Sequence, residues 1–285
     1  MPWNDWLELV RFVRSLDRRL YSGRFEFTDA DIVLTFLWAT LHRRSVLWAC
    51  RSDAWPIFVR HVTRPSPTRV SRRLRAGSAA TLLEAVLQWV LHSGHDTPLV
   101  DIADGKAITV ASHSRDRDAT FGHFGMRGYK LHAVCDISGK IRARRLTPLH
   151  CYEPTIAGRL IRDLKPHGYL LADANYDHTE LHGRCAATGA QLVAPRSNAR
   201  RGRGTRRTGV PPSRRRAIDM IELDPTGFGR QLFNLRRTIE RVFGRLETRF
   251  GINRPPAWIR TLPRVRRWID AILILDAFTR TANAG

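Results

Sequence analysis

Hydrophobic positions in the first 95 residues recur at helical spacing. Trp6, Leu9, Val10, Val13 and the segment Leu16 to Leu20 line one face. Thr28, followed by Asp29 and Asp31, supplies a cap and first-turn acids for a second helix through Ile32, Val33, Phe36, Leu37 and Leu41. A third helix covers Thr81 to Leu91. Between these two, residues 64–75 read Arg-Pro-Ser-Pro-Thr-Arg-Val-Ser-Arg-Arg-Leu-Arg. Pro and Ser ahead of a basic stretch suit either a DNA-reading helix or a solvated basic one.

The period shortens after His92-Ser-Gly-His-Asp-Thr-Pro98. Leu99 to Val110 reads as a strand, and Tyr129 to Ile137 as another that turns at Ser138-Gly139 into a partner, Lys140 to Leu146. A helix over Pro154 to Leu164, a short strand at Tyr169 to Ala172, a helix over His178 to Thr188 and a strand at Gln191 to Ala194 follow. The order βββαβαβ predicts an α/β fold with a mixed sheet. Residues 196–227 break the pattern. Eight Arg fall between Arg200 and Arg216, with several Gly, two Pro and no acid, which predicts a flexible cationic loop. Helices from about Phe228 to Phe250 and from Arg264 to Thr281 are expected to complete the same domain. The chain thus divides into an N-terminal helical domain, 1–95, and an α/β domain, 96–285, that carries the basic loop 196–227.

Charge adds a partner to this outline. The chain holds 48 Lys+Arg against 26 Asp+Glu, a net charge of +22, which points to a polyanion and most simply to nucleic acid. Lys occurs only at 106, 130, 140 and 165. GC-rich codon usage accounts for part of that bias but not for the net charge, and the planar Arg fork suits phosphate. The 43% hydrophobic content is enough for a core and excludes global disorder. Cys50, Cys135, Cys151 and Cys185 form no CxxC pair, and the start MPWNDWLELV has no signal-peptide pattern. The apolar runs Ile32 to Leu41 and Ile269 to Phe278 fall well short of the ~20 residues of a membrane span. A soluble, reduced, cytoplasmic protein is expected.

In so basic a chain the placement of acids is informative. Asp104 interrupts the apolar strand Leu-Val-Asp-Ile-Ala-Asp-Gly-Lys-Ala-Ile, and Asp173 ends Tyr-Leu-Leu-Ala. Glu240 lies in Arg-Arg-Thr-Ile-Glu-Arg-Val-Phe-Gly-Arg-Leu. On one continuous helix, Leu232, Leu235, Ile239, Val242, Phe243, Leu246 and Phe250 form the core stripe, and Phe233, Arg236, Glu240 and Glu247 fall within roughly 60° of one another beside it. Carboxylates from two strand ends and a helix can form an all-oxygen divalent-metal site, suited to Mg²⁺ and to two-ion phosphodiester chemistry. The bland alternative pairs each acid with a neighbouring Arg. His178, His182 and Cys185 have a spacing compatible with Zn²⁺ but lack a fourth ligand, and a packed helix face suffices. His132 is expected as a satisfied core histidine, and Trp38, Trp89 and Trp268 as core residues.

Several of these strings together resemble a known family. Asp104-Gly-Lys-Ala-Ile-Thr-Val110, Gly128-Tyr-Lys-Leu-His-Ala-Val-Cys-Asp-Ile-Ser-Gly139, Arg145-Leu-Thr-Pro-Leu-His150 and Leu171-Ala-Asp-Ala-Asn-Tyr-Asp177 resemble, in order, segments of bacterial insertion-sequence transposases of the DDE class. The spacing Phe233-x2-Arg236-x3-Glu240-x6-Glu247 is similar to the Tyr-Arg-Glu-Lys signature of the IS4/IS5-like group, and the central segment is similar to the IS982 branch. The resemblance implies an RNase H-like mixed sheet flanked by helices, with residues 1–95 as a DNA-end-binding domain. It also implies metal-dependent DNA cleavage and strand transfer. Asp104, Asp173 and Glu240 match the catalytic, metal-binding triad for two Mg²⁺ ions, with Mn²⁺ as a substitute. Asp101, on the opposite face of a regular strand, is the other candidate for the first aspartate. Arg236 matches the signature arginine near the DNA backbone. Double-stranded DNA is the implied partner, bound by a homodimer. The loop residues Arg200, Arg201, Arg203, Arg206, Arg207, Arg214, Arg215 and Arg216 are expected to add phosphate contacts. Phe233 stands for the usual Tyr and Glu247 for the usual Lys. These departures keep open a decayed or recruited non-catalytic DNA-binding protein, beside a nuclease on the same fold.

Overall fold

The computed structural model describes residues 1–20, 26–75, 77–93, 97–111, 113–122, 125–197 and 210–281. They group into two compact units, Met1–Ser93 with Thr248–Gly285, and Gly94–Glu247.

The first unit is helical: α1 (Trp3–Leu20), α2 (Asp29–Leu41), α3 (Val46–Ala49), α4 (Pro67–Arg73) and α5 (Ser78–His92), with two short 3₁₀ turns between α3 and α4. Thr28 caps α2 as expected. The Asp31 N–H donates to its hydroxyl at 3.1 Å, and the Asp31 carboxylate accepts from the Thr28 N–H at 3.0 Å. Apolar all round, α2 is buried from Ala30 to Thr40 except at Asp31. Trp38 stacks on Trp55 with centroids 4.5 Å apart, and Trp6 meets Trp38 edge-on at 4.9 Å. In the basic 64–75 stretch, Arg73 pairs with Asp29 and donates to the Phe27 carbonyl, and Arg69 reaches Glu26 at 2.5 Å. Two of its cations are thus spent on holding α4 to the entry of α2. Trp38 and Trp268 are buried, whereas Trp89 is half exposed, covered on one side by Phe12 and Phe278.

The last helix, α11 (Leu262–Thr281), packs on α1, α2 and α5 instead of completing the α/β unit. Its Val265, Trp268, Ile269, Ile272, Leu275 and Phe278 are buried there. Among the described residues no helix is long and apolar enough to cross a membrane.

The second unit is a mixed sheet flanked by helices, the RNase H-like class that the sequence predicts. Its strands are β1 (Val100–Thr109), β2 (Thr120–Phe121), β3 (Arg127–Asp136), β4 (Ile141–Pro148), β5 (Gly168–Leu171) and β6 (Ala190–Val193). The order across the sheet is β4-β3-β1-β5-β6, and the two-residue β2 pairs with the start of β3. β1, β3 and β4 are antiparallel, while β5 and β6 run parallel to β1. The β3–β4 turn places Gly139 at φ +78°, a left-handed conformation that glycine adopts without strain. α6 (Glu153–Leu164) and α7 (Thr179–Ala187) enclose a core of Ala103, Val134, Leu160, Leu170, Leu181 and Leu192.

Two features of this unit depart from the sequence reading. Within the expected 196–227 loop, Pro212–Glu222 forms a helix, α8, with Pro in its first turn and Ala217 and Ile218 buried. The expected helix over Phe228 to Phe250 is two helices, α9 (Phe228–Asn234) and α10 (Arg237–Phe250). At their joint, the N–H groups of Leu235, Arg236 and Thr238 bond three residues back, to Leu232, Phe233 and Leu235. That is 3₁₀ geometry, and it turns Leu235 out to 39% exposure in place of the core position expected for it.

Candidate active site

The parallel pairing of β1 with β5 ends at Ile102 opposite Leu171. β1 runs on beyond that point and carries Asp104, while the chain after β5 turns away at Asp173. Two acids that lie far apart in sequence therefore meet at the end of one strand pair.

Asp104 is mostly buried, with its side chain 19% exposed. Its Oδ1 accepts from the Gly105 N–H at 2.7 Å, and its Oδ2 lies 3.5 Å from a guanidinium nitrogen of Arg236. Burial pushes its carboxyl up to about 6; the Gly105 N–H and Arg236 oppose the rise, and the charges of Asp173 and Glu153 add to it. Asp173 caps a 3₁₀ turn, Ala174–Tyr176, accepting from the Asn175 N–H at 2.9 Å. Burial, with the charge of Glu153, raises its carboxyl too, against the Asn175 N–H, Arg236 and Lys130.

Glu240, in the first turn of α10, is about half exposed and joins the site through Arg236, whose other nitrogen it binds. Arg236 sits in the α9–α10 joint and so bridges Asp104 to Glu240. Phe233 is half-buried near the end of α9.

Glu153, which the sequence did not single out, also acts by its charge on Asp104 and Asp173. It opens α6, its side chain is 15% exposed, and its Oε1 accepts from the Lys130 ammonium at 2.7 Å. An acid followed by Pro reads as an ordinary helix start, so no local signal marked it. Tyr176 is fully buried beside these groups. Burial and then the charges of Glu153, Asp104 and Asp173 hold its phenol protonated far above the usual range.

Asp101 faces the other way. It is fully buried, and one Arg142 nitrogen grips both of its oxygens at 2.7 and 2.9 Å. Glu247 pairs with Lys106 at 2.7 Å. Arg200, Arg201, Arg203, Arg206 and Arg207 lie outside the described residues. Arg215 and Arg216 are exposed on α8, but Arg214 turns inward and binds Asp177 with two nitrogens at 2.8 and 2.7 Å. That bidentate pair occupies the phosphate-binding fork expected of Arg214. His182 is buried against Asp177 at 3.3 Å, His178 reaches the Tyr152 hydroxyl at 3.0 Å, and Cys185 is a buried thiol pushed up to about 12 by burial. His132 is buried and meets the Thr147 hydroxyl at 3.0 Å.

The donors at the end of the β1–β5 pair are all carboxylate oxygens, which is the ligand chemistry of Mg²⁺ or Mn²⁺. Among the described residues, no three acids or histidines stand in ready-made metal-ligand geometry. Arg236 instead lies bonded between two of the acids.

Residues 96–275 match the family described as Transposase DDE domain. No curated protein matches the chain.

Proposed function

Since the chain belongs to the DDE-domain transposases, a polynucleotidyl transferase family whose members use divalent metal ions, we propose that it is an active transposase. In this reading it cleaves DNA at the ends of an insertion sequence and transfers the strands to a target. Asp104, Asp173 and Glu240 are the residues that hold the metal. One observation carries the proposal: the sheet sets Asp104 beside Asp173, and Arg236 links Asp104 to Glu240.

Two Mg²⁺ ions, with Mn²⁺ as a substitute, would supply activation of the attacking oxygen and stabilisation of the leaving 3′-oxygen. The chain's own part is to fix the donors and receive the DNA. Asp104 stands on β1 and Asp173 caps the turn just past the end of β5, so both present their oxygens with little freedom. Glu240 comes from α10 and is tied to Asp104 through Arg236 in the neighbouring joint. Arg236 balances the acids and, when they take up a cation, its planar fork is available to a DNA phosphate. Arg215 and Arg216, with the arginines of 200–207, add phosphate contacts. Double-stranded DNA is the partner, the helical residues 1–95 bind the transposon end, and the working form is a homodimer in the cytoplasm. Within the family we place the chain in the IS4/IS5-like group, its central segment beside the IS982 branch.

Phe233 and Glu247 favour a second reading, a decayed or recruited DNA-binding protein. The Lys106–Glu247 pair speaks against it, because the acid is neutralised locally. The test is linear DNA spanning the gene and its flanks, incubated with the protein with and without Mg²⁺. Metal-dependent cuts at two inverted ends, absent in Glu240→Gln, are expected. Full cleavage by that variant would remove Glu240 from the site. Specific binding without cuts would establish the second reading, and cuts without strand-transfer products a nuclease.

A further inference from the structure

The arginines at α4 divide into two sets. Arg69 and Arg73 turn inward and are held, Arg69 by Glu26 at 2.5 Å and over the Phe27 ring, Arg73 by Asp29 and the Phe27 carbonyl. Val70 and Leu74 are buried on that side. The opposite stripe is Thr68, Ser71, Arg72 and Arg75, spaced three or four apart around one face and all exposed. α4 itself has no acid, and among the described residues no acid from elsewhere pairs with Arg72 or Arg75. α11 begins in the same compact unit, and both helices pack on α2 and α5. Its start carries exposed Arg264 and Arg266 and half-buried Arg267, with no acid in the first turn. The two groups adjoin. Burial lowers the Arg267 guanidinium from its usual value, and the charges of Arg264 and Arg75 lower it further, against Asp270. Beside the stripe a cavity of about 390 Å³ opens between Arg72, Arg73, Gly77 and Ser78, and the acid at its rim, Glu26, is taken by Arg69. Like charges crowded on one surface raise the free energy of the protein, and a polyanion relieves them.

We propose that a DNA duplex lies across the outer stripe of α4 and the start of α11, with α4 directed at base edges and α11 at phosphates. This rests on the assignment of the helical unit to the transposon end, and it adds to that unit's DNA surface a helix from the opposite end of the chain. Side-chain chemistry divides the roles. Thr68 and Ser71 are short and carry hydroxyls that bond to base edges, and Arg72 beside them can bond guanine through two nitrogens. Seven residues make α4 about 10 Å long, which fits a major groove about 12 Å wide. Around Arg264 and Arg266 stand Leu262, Pro263 and Val265, so guanidiniums are the side-chain donors of that turn, which suits phosphate. A merely solvated basic face has a different signature, because its arginines then carry no preference for one DNA sequence over another.

The experiment is fluorescence anisotropy of the full-length protein without Mg²⁺. The probes are labelled duplexes copied from the two flanks of the gene and a scrambled duplex of the same base composition. Arg72→Gln is expected to weaken binding to the flank duplexes roughly 5- to 150-fold, and to the scrambled one far less. Arg264→Gln and Arg266→Gln are expected to weaken both kinds alike, each lowering the slope of log affinity against log salt by close to one phosphate contact. All three side chains are exposed, so the unfolding temperatures should match wild type. If Arg72→Gln binds the flanks as wild type does, or weakens both kinds of duplex alike, the reading role of α4 is overturned. Should that variant misfold, Ser71→Ala on the same stripe decides by the same criterion. An unchanged salt slope in both α11 variants removes α11 from the DNA surface. If wild type itself does not prefer the flank duplexes, end binding by the helical unit fails, and the roles of α4 and α11 fail with it. If wild type prefers the flanks but never cuts them when Mg²⁺ is added, those roles stand and the catalytic reading alone fails.

Discussion

Lys106 on β1 and Glu247 on α10 form a direct ion pair, Nζ to Oε2, at 2.7 Å. Lys106 is two residues after Asp104, so its side chain leaves the strand on the face that carries Asp104. The resemblance to the family signature expects a cation at 247; here the cation comes from the strand and the acid from the helix. Both side chains are partly exposed, so the pair itself is worth about 0.2–1 kcal/mol. Glu247→Lys should therefore place two cations face to face and lower both stability and DNA cleavage. The exchange Lys106→Glu with Glu247→Lys should recover stability in a double-mutant cycle. A cycle with no coupling would mean that the contact does not hold the helix to the strand.

Asp104 is a carboxyl that the fold prefers protonated. Its value, raised to about 6 by burial, lies above that of an unfolded aspartate. The sign follows directly: its contribution to stability is full below about pH 4 and is lost as the pH rises through 6. Asp104→Asn, which cannot ionise, should exceed wild type at pH 8 by about 2–3 kcal/mol. The gap should close towards pH 4, and the variant should cleave no DNA. Denaturant titrations at the two pH values check this; equal stability at pH 8 would show that the fold already compensates the charge.

His132 gives the opposite dependence. Burial, with help from the Lys130 charge, lowers its imidazole to about 3. The neutral ring is favoured in the fold, so its contribution is present above the unfolded value of about 6.5 and is lost as the pH falls below it. One proton is taken up on unfolding across that window, which costs wild type about 2 kcal/mol between pH 6.5 and 5. His132→Gln can keep the bond to Thr147 and cannot titrate. Its stability should fall less than that of wild type over the same interval; Asp104 takes up its proton there in both proteins and cancels from the comparison. Parallel losses in the two proteins would place a water-accessible, titrating ring at 132.

The two-residue β2 is too short to carry a pattern, whereas the other five strands were legible from their apolar or alternating runs. For the same reason Asp104 and Asp173 stood out as acids where apolar side chains belong. α8 was hidden by its composition: its apolar residues, Ala217, Ile218, Met220 and Ile221, follow a start of Pro and three Arg that reads as a loop. The α9–α10 joint has no Gly or Pro to announce it; its 3₁₀ turn goes with the reach of Arg236 to Asp104, a contact between residues remote in sequence. α11 is apolar enough to be recognised as a helix, but nothing local says which core it joins. Glu153 looked like any helix start, and nothing local says that it turns inward to Lys130 across from the bare backbone of Gly105.

The arginines at 214, 215 and 216 are adjacent in sequence and should behave as different residues. Arg214 is mostly buried, and its two nitrogens meet an Asp177 carboxylate that is 1% exposed. That carboxylate also takes the Ser197 N–H at 3.1 Å and contacts His182. Burial alone would raise Asp177, but these hydrogen bonds and the Arg214 charge hold it well below the usual range. Its contribution to stability is thus present above about pH 4 and is lost as the pH falls further. Arg214→Gln leaves a buried charge without its partner and should cost about 3–5 kcal/mol at pH 7. The deficit should shrink in acid, where Asp177 protonates in the variant before it does in wild type. Arg215→Gln and Arg216→Gln, both exposed, should change stability by less than about 0.5 kcal/mol. Each should instead reduce the salt dependence of DNA affinity by close to one phosphate contact. Thermal unfolding and salt titrations of the three variants test both halves. If Arg214→Gln kept full stability and flattened the salt slope, Arg214 would belong to the DNA surface, and the Asp177 pair would not be what anchors α8.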